Sequence, residues 1–260
     1  QVLLNSDGWS NGDLHLQFTP ENELILGIHG NLNSFRSAYN FQTGETYNIS
    51  AVYSAVDQTS KIYVDGALTD TWTYTVAQSI AAGGFNIGAW DNGSISRHLQ
   101  GNISEVRIWN TARTASEISG SLDVPLTGTE TGLTHYWNFS GDTVNGTTVA
   151  DGTGNGNTLT LMNGDVNDFV PIVTGGDDVL EGGAGNDQLS GDAGNDILFG
   201  DGDRQWVTLD GQNDYLSPSS NLAATDEITI EMAVQPMLNN TFQVLLNSDG
   251  WSNGDLHLQF

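Results

Sequence analysis

The chain has 260 residues and a formal net charge of −26, from 32 Asp and Glu against six Lys and Arg, with no Cys and seven Trp. So few basic side chains exclude nucleic acid as a partner, because nothing could neutralise phosphates, and zero Cys excludes disulfide staples and thiol chemistry. No stretch reads as a membrane-spanning helix, so membrane insertion is not expected, and the length accommodates one sandwich domain or two small ones.

Gln1 to Phe18 reads QVLLNSDGWSNGDLHLQF, and Gln243 to Phe260 repeats it without one change. Drift blurs repeats, so identity over eighteen residues sets a period of 242 (243 minus 1). Removing the duplicates Asp249 and Asp255 leaves a charge of −24 per period. Leu14, Leu16 and Phe18 alternate with Asp13, His15 and Gln17, a strand pattern in which both ends of the chain fall. Two accounts fit: a circular permutant with an overlap or, as the better one, a window on a longer tandem array.

Short alternating runs follow at Asn22 to Ile28, Tyr47 to Tyr53, Lys61 to Val64, Thr69 to Tyr74, Phe85 to Trp90 and Ile103 to Trp109. Turn residues such as Asp65-Gly66 and Asp91-Asn92-Gly93 separate them. Strands at this spacing predict an antiparallel sandwich. A single short helix is expected after Thr114, where Thr114-Ala115-Ser116-Glu117 fits a capping box ahead of Ile118.

The run Glu105-Val106-Arg107-Ile108-Trp109-Asn110, preceded by Gly101-Asn102-Ile103, resembles the closing strand of laminin-G-like, concanavalin A-like jelly-roll domains. Lys61 to Gly66 is similar to the hairpin upstream of it. Leu133 to Phe139 and Val149 to Leu161 resemble the strand and Asp/Gly/Asn loop that accompany such modules in bacterial surface proteins. Further on, Val207 to Tyr215 and Glu227 to Met232 resemble the first two strands of the same domain type, with Ile228, Ile230, Met232 and Val234 on one face.

Between these lies Val173 to Asp203, which aligns in nines. Gly176-Asp177-Asp178, Gly185-Asn186-Asp187 and Gly194-Asn195-Asp196 recur, each followed two residues later by Leu180, Leu189 or Leu198. Glycines allow tight turns at positive φ and the Asp supplies a hard carboxylate oxygen, the ligand type calcium prefers. A flexible Gly/Asp linker would have no reason to hold Leu and Asp in register three times. The segment resembles the calcium-binding nonapeptide of the repeats-in-toxin (RTX) family. That resemblance implies a short parallel β-roll in which residues eighteen apart stack, with Asp178 and Asp196 as such a pair. The expected ligands of Ca2+ are Asp178, Asp187 and Asp196, with Asp177, Asp201, Asp203 and the backbone at Gly176, Gly185 and Gly194.

Other polar residues carry blander readings. His15, His29, His98 and His135 lack Cys or His neighbours at metal spacing, and no nucleophile elbow appears, so an enzyme is not expected. Trp9, Trp72, Trp90 and Trp137 could form a sugar-stacking platform, although core packing suits most of them better. Asp65, Asp91 and Asp151 sit in turns where Asp usually bonds to backbone. Sequons stand at Asn48, Asn92, Asn102, Asn138, Asn145 and Asn239.

The expected fold is all-β: an antiparallel jelly-roll sandwich over 1–172 lacking its first strands, a calcium-binding parallel β-roll connector over 173–203, and the opening strands of the next sandwich over 204–260. The expected function is a secreted structural repeat of a fibre or long adhesin whose partners are copies of itself. The alternative is a multivalent adhesin that binds glycans.

Overall fold

The structure, a computed structural model, describes residues 1–6, 12–28, 35–80, 83–91, 95–122, 124–139, 143–165, 168–171, 179–181, 197–199, 205–210, 212–219, 225–236, 246–248 and 257–259. In chain order the first strands are β1 (Val2–Asn5), β2 (Leu14–Phe18), β3 (Leu24–Ile28), β4 (Phe35–Arg36), β5 (Tyr47–Ser54), β6 (Thr59–Val64), β7 (Ala67–Thr73), β8 (Phe85–Ile87), β9 (Trp90–Asp91), β10 (Ile95–Ser96) and β11 (Gln100–Trp109). After the helix α1 (Ala115–Ser119) come β12 (Leu133–Trp137), β13 (Val144–Asn145), β14 (Thr148–Val149), β15 (Leu159–Met162), β16 (Phe169–Pro171), β17 (Val179–Glu181) and β18 (Ile197–Phe199). The last are β19 (Gln205–Asp210), β20 (Tyr215–Pro218), β21 (Glu227–Pro236), β22 (Leu246–Ser248) and β23 (His257–Gln259).

Two antiparallel sheets enclose one core, the antiparallel sandwich expected from the alternating runs and consistent with the jelly roll that the family resemblance implies. One sheet runs β16-β19-β11-β21-β5-β6-β7, with β12 pairing the second half of β11. The other holds β1, β2, β3, β8, β20, β15, β14 and β13, together with β22 and β23. Strand β21 shows why these residues form a central strand. Ile228, Ile230, Met232 and Val234 are buried in the core on one face, while Thr229 and Glu231 point to the other. It pairs with β11 from Gly101↔Pro236 to Trp109↔Thr229, and with β5 from Val234↔Tyr47 to Glu227↔Ser54.

Two local devices set the strand geometry. Ile103 and Val106 both reach the core although an odd spacing should put them on opposite faces; a bulge between Ile103 and Glu105 restores the parity. At Gly101, with φ +152°, a Cβ would strike the Gln235 carbonyl oxygen, so glycine is required there. The Asp65-Gly66 turn joins β6 to β7 with Val64 opposite Ala67, and both turn residues have positive φ, 49° and 74°. That is the twist-compatible two-residue hairpin the sequence signals.

The helix begins as expected. Thr114 Oγ1 accepts from the Glu117 amide and Glu117 in turn accepts from the Thr114 amide, completing a capping box. Ile118 is the helix's buried side chain and packs on Val52 and Tyr63, on the face of the sheet away from the main core. Charged side chains clamp the adjoining chain to the same face. The Glu231 carboxylate accepts from Trp109 Nε1 at 2.7 Å and from Arg113 Nη1 at 2.9 Å. Arg107 pairs with Glu105 at 2.8 Å and donates to the carbonyls of Ser121 and Val124. Burial pushes the Glu231 carboxyl up, partly offset by Arg113 and Arg107. Burial would lower Arg107, but the Glu105 and Glu231 carboxylates outweigh it and raise its pKa.

The strands over 205–236 occupy the open places of the sandwich that residues 1–171 build. β19 lies between β16 and β11, β20 between β15 and β8, and β21 between β11 and β5. Because β21 sits at the centre, Ile230→Ala should cost about 2–5 kcal/mol. It would appear as a lower urea midpoint at unchanged slope.

Candidate functional site

The nonapeptide segment leaves and re-enters the sandwich at one point. Strands β16 and β19 pair antiparallel, with Pro171 opposite Gln205, so the segment between them is an excursion whose two ends are adjacent. Within it, β17 and β18 pair in parallel: Val179↔Ile197, Leu180↔Leu198 and Glu181↔Phe199. Each pair is eighteen residues apart, twice the nine-residue sequence period, so the backbone steps as a roll of two nonapeptides per coil would. The expected ligands Asp177, Asp178, Asp187, Asp196, Asp201, Asp203, Gly176, Gly185 and Gly194 lie outside the described residues. Among the described residues no group of three or more His, Cys, Asp or Glu could hold a metal. The donor chemistry and the eighteen-residue step both fit calcium.

The second feature is a strand slot between β3 and β8. Residues 1–18 fill it: β2 pairs with β3 (His15↔Gly27, Gln17↔Ile25) and β1 pairs with β8 (Leu4↔Ile87, Asn5↔Asn86). Residues 246–248 and 257–259 of the identical second copy take the same partners. β23 pairs with β3 through His257↔Gly27 and Gln259↔Ile25, and β22 pairs with β8 through Leu246↔Ile87 and Asn247↔Asn86. The cross-pairs between the copies, Leu4↔Leu258 and Leu16↔Leu246, share one register with each other, one residue out of step with the Val2↔Gln17 pair within the first copy.

The aromatic residues divide by exposure. Trp90 and Trp137 are buried, which removes them from any sugar platform, and Trp9 lies outside the described residues. Trp72, on the edge strand β7, is 44% exposed and stacks against Phe35 at 6.1 Å between centroids. Beside it Asp70 accepts from Ser37 Oγ at 2.5 Å.

Turn aspartates serve the backbone where their side chains are described. Asp65 accepts from the Asn48 amide at 2.8 Å, and Asp151 from the amides of Tyr136 and Thr153 at 3.0 and 2.9 Å. Asp91 falls in β9. Of the sequons, Asn145 is exposed, whereas Asn102 is engaged with Gln235 and Thr208; Asn92 and Asn239 lie outside the described residues. Among the histidines, His29 lies outside the described residues, and His15 stacks on Trp90, which carries Arg97 at 4.4 Å from its ring centre. His98 lies 3.2 Å from the Asp214 carbonyl and burial lowers its pKa.

Sequence reasoning passed over the Glu105, Arg107, Arg113 and Glu231 network. Its available signal was compositional, since two of only six basic residues lie in this one stretch.

Comparison with known proteins agrees with both halves of the architecture. The family model of the concanavalin A-like lectin/glucanases superfamily matches residues 1–119. The model of the RTX calcium-binding nonapeptide repeat matches residues 172–204. Residues 1–119 are thus similar to that superfamily and residues 172–204 to that repeat. Among solved structures, a "putative carbohydrate binding protein" from Bacteroides ovatus is similar at 22% identity and a TM-score of 0.46. The match covers 60% of this chain and 46% of that one, so the chain spans under half of that protein's length. No curated protein matches. Among the described residues of the chain, no helix is long and apolar enough to cross a membrane.

The sandwich also holds a buried histidine. Burial lowers the pKa of His135 to about 4, with Asp151 opposing weakly, and its ring lies among Phe85 and Trp137. An unfolded His titrates near 6.5, so the unfolded chain binds a proton first as pH falls. His135 should therefore leave stability intact above about pH 6.5 and remove on the order of 3 kcal/mol between there and pH 4. Urea titrations across that range should show a shallower pH slope in His135→Phe than in the parent.

Proposed function

We propose that this chain is a repeat unit of an extracellular, calcium-stiffened tandem array, a fibre or a long adhesin stalk, in which the sandwich is a non-catalytic scaffold and the RTX segment its metal-loaded joint. The observation that carries this reading is the exact recurrence of residues 1–18 at 243–260, with both copies in one strand register. Sequence identity at that spacing is what successive repeats require. A charge of −24 per period would keep such arrays apart unless cations bridge them.

In the joint, Asp178, Asp187 and Asp196, with Asp177, Asp201, Asp203 and the backbone of Gly176, Gly185 and Gly194, bind one to three calcium ions. Calcium supplies a hard divalent charge that gathers carboxylate and carbonyl oxygens along one edge of the coil. Because Pro171 and Gln205 are paired, ordering the segment also supports the β16 and β19 hairpin. Calcium at a hundred times its dissociation constant adds about 2.7 kcal/mol per site to the folded state. Chelation should lower the thermal midpoint and the hydrogen-exchange protection of β17 and β18. Asp178→Ala with Asp196→Ala should reduce calcium stoichiometry by calorimetry; unchanged stoichiometry would refute the ligand assignment.

Trp72 favours a second reading, a multivalent glycan-binding adhesin. Its exposed ring, Phe35 behind it and the Asp70 carboxylate nearby combine an apolar stacking surface with a hydrogen-bond acceptor. On this reading a glycan array gives binding that Trp72→Ala abolishes while leaving the thermal midpoint within a few degrees. An array with no signal, beside ordered filaments in micrographs, selects the scaffold.

A further inference from the structure

We infer that the outer face of the sheet holding β11 and β21 carries a binding site for one ordered water molecule, which completes the hydrogen bonding of the charged network between Arg107, Ser50 and Glu231. Three adjacent strands build it. Ser50 on β5, Glu231 on β21 and Arg107 on β11 stand opposite one another in a single cross-strand row. One same-face step along, Ala233 is opposite Glu105. Ala233 offers only a methyl where its neighbours carry long side chains, and these five residues, with Leu122 just beyond α1, line a cavity of about 10 Å³.

The cavity adjoins an unfinished set of hydrogen bonds. Arg107 is buried and both of its terminal nitrogens are engaged: Nη1 donates to the Ser121 carbonyl at 2.6 Å, and Nη2 to Glu105 Oε1 and the Val124 carbonyl at 3.0 and 3.1 Å. Nε is buried too, and among the described residues nothing accepts its proton. A buried donor left unpaired carries its full desolvation cost. At the other end of the row, Ser50 Oγ reaches Glu231 Oε1 only at 3.4 Å, whereas O–H···O bonds usually measure about 2.7–2.8 Å.

The lining selects the occupant. Arg107 is paired with Glu105 and Arg113 with Glu231, so the charges of the network already balance. A cation would meet the Arg107 guanidinium and an anion would meet two carboxylates. A neutral group that accepts from Nε and donates to Ser50 Oγ or Glu231 suits both sides. Volume then decides its size, since about 10–15 Å³ is the least that holds a water and an organic molecule needs far more. The inference goes beyond the array and glycan readings and shares no residue with the nonapeptide segment, the repeated ends or the Trp72 surface.

Ala233 provides the test, because it lines the cavity while its side chain has no polar atom. Ala233→Ser puts a hydroxyl where the water binds, and Ala233→Val fills the same space with carbon. In the full-length chain Ala233→Ser should keep the thermal midpoint within about a degree of the parent, while Ala233→Val lowers it by several degrees as its methyls expel the water and strand the Nε–H. A dry cavity predicts the opposite for valine, which would fill a void on a strand that favours it. Repeating the valine change in an Arg107→Lys background, where no Nε–H remains, separates this loss from steric strain: the penalty should shrink by more than half, whereas strain would persist in full. A valine midpoint at or above the parent's, or an equal penalty in both backgrounds, overturns the inference. If Arg107→Lys does not fold, a crystal structure of the parent decides. A water within about 3.2 Å of Arg107 Nε bears the inference out; a side chain in that place, that of Asp123 included, or an empty cavity overturns it.

Discussion

The sheet that runs from β16 to β7 is continuous only because β21 lies between β11 and β5. It contributes an eight-pair ladder to each neighbour and four core side chains, Ile228, Ile230, Met232 and Val234. Remove it and the sheet divides into two parts with facing unpaired edges and an open core. Because β21 comes after the nonapeptide segment in sequence while β5 and β11 come before it, the chain must leave the sandwich and return. The pairing of Pro171 with Gln205 sets where it does both. The two ends of the nonapeptide segment therefore meet at one strand pair of the sandwich.

Charge is distributed in a way that suits this arrangement. Of the six basic residues, Arg107 and Arg113 are placed against Glu105 and Glu231 on the outer face of the sheet that holds β11 and β21. Buried charges of this kind contribute modestly to stability once desolvation is counted, and losing one partner is costly. Here they hold the chain between β11 and β12 in place around α1. The remaining acidic side chains have few basic partners in the sequence.

The slot between β3 and β8 gives the sequence period a structural meaning. A repeat of 242 residues need not place its two copies in equivalent surroundings, yet here each takes β3 and β8 as partners in one register. Backbone hydrogen bonding is indifferent to which copy supplies the strand, and identical side chains make the packing indifferent as well.

Much of this was legible from the residues. Period-two alternation marked the strands, Ile228 to Val234 included, because a half-buried strand must present one apolar face. Asp65-Gly66 marked its hairpin because both positions need positive φ, and Thr114 to Glu117 marked the helix through the capping groups themselves. The nine-residue spacing of Gly and Asp, doubled, agrees with the eighteen-residue step between β17 and β18. Tertiary structure alone decided the rest. The bulge that turns both Ile103 and Val106 inward depends on how β11 meets β21, the burial of Trp90 and Trp137 against the exposure of Trp72 depends on which strand ends at an edge, and the ion network joins residues more than a hundred positions apart. Local pattern encodes which face of a strand is apolar; it carries no information about which strand lies beside it, and every feature of the slot is a matter of neighbours.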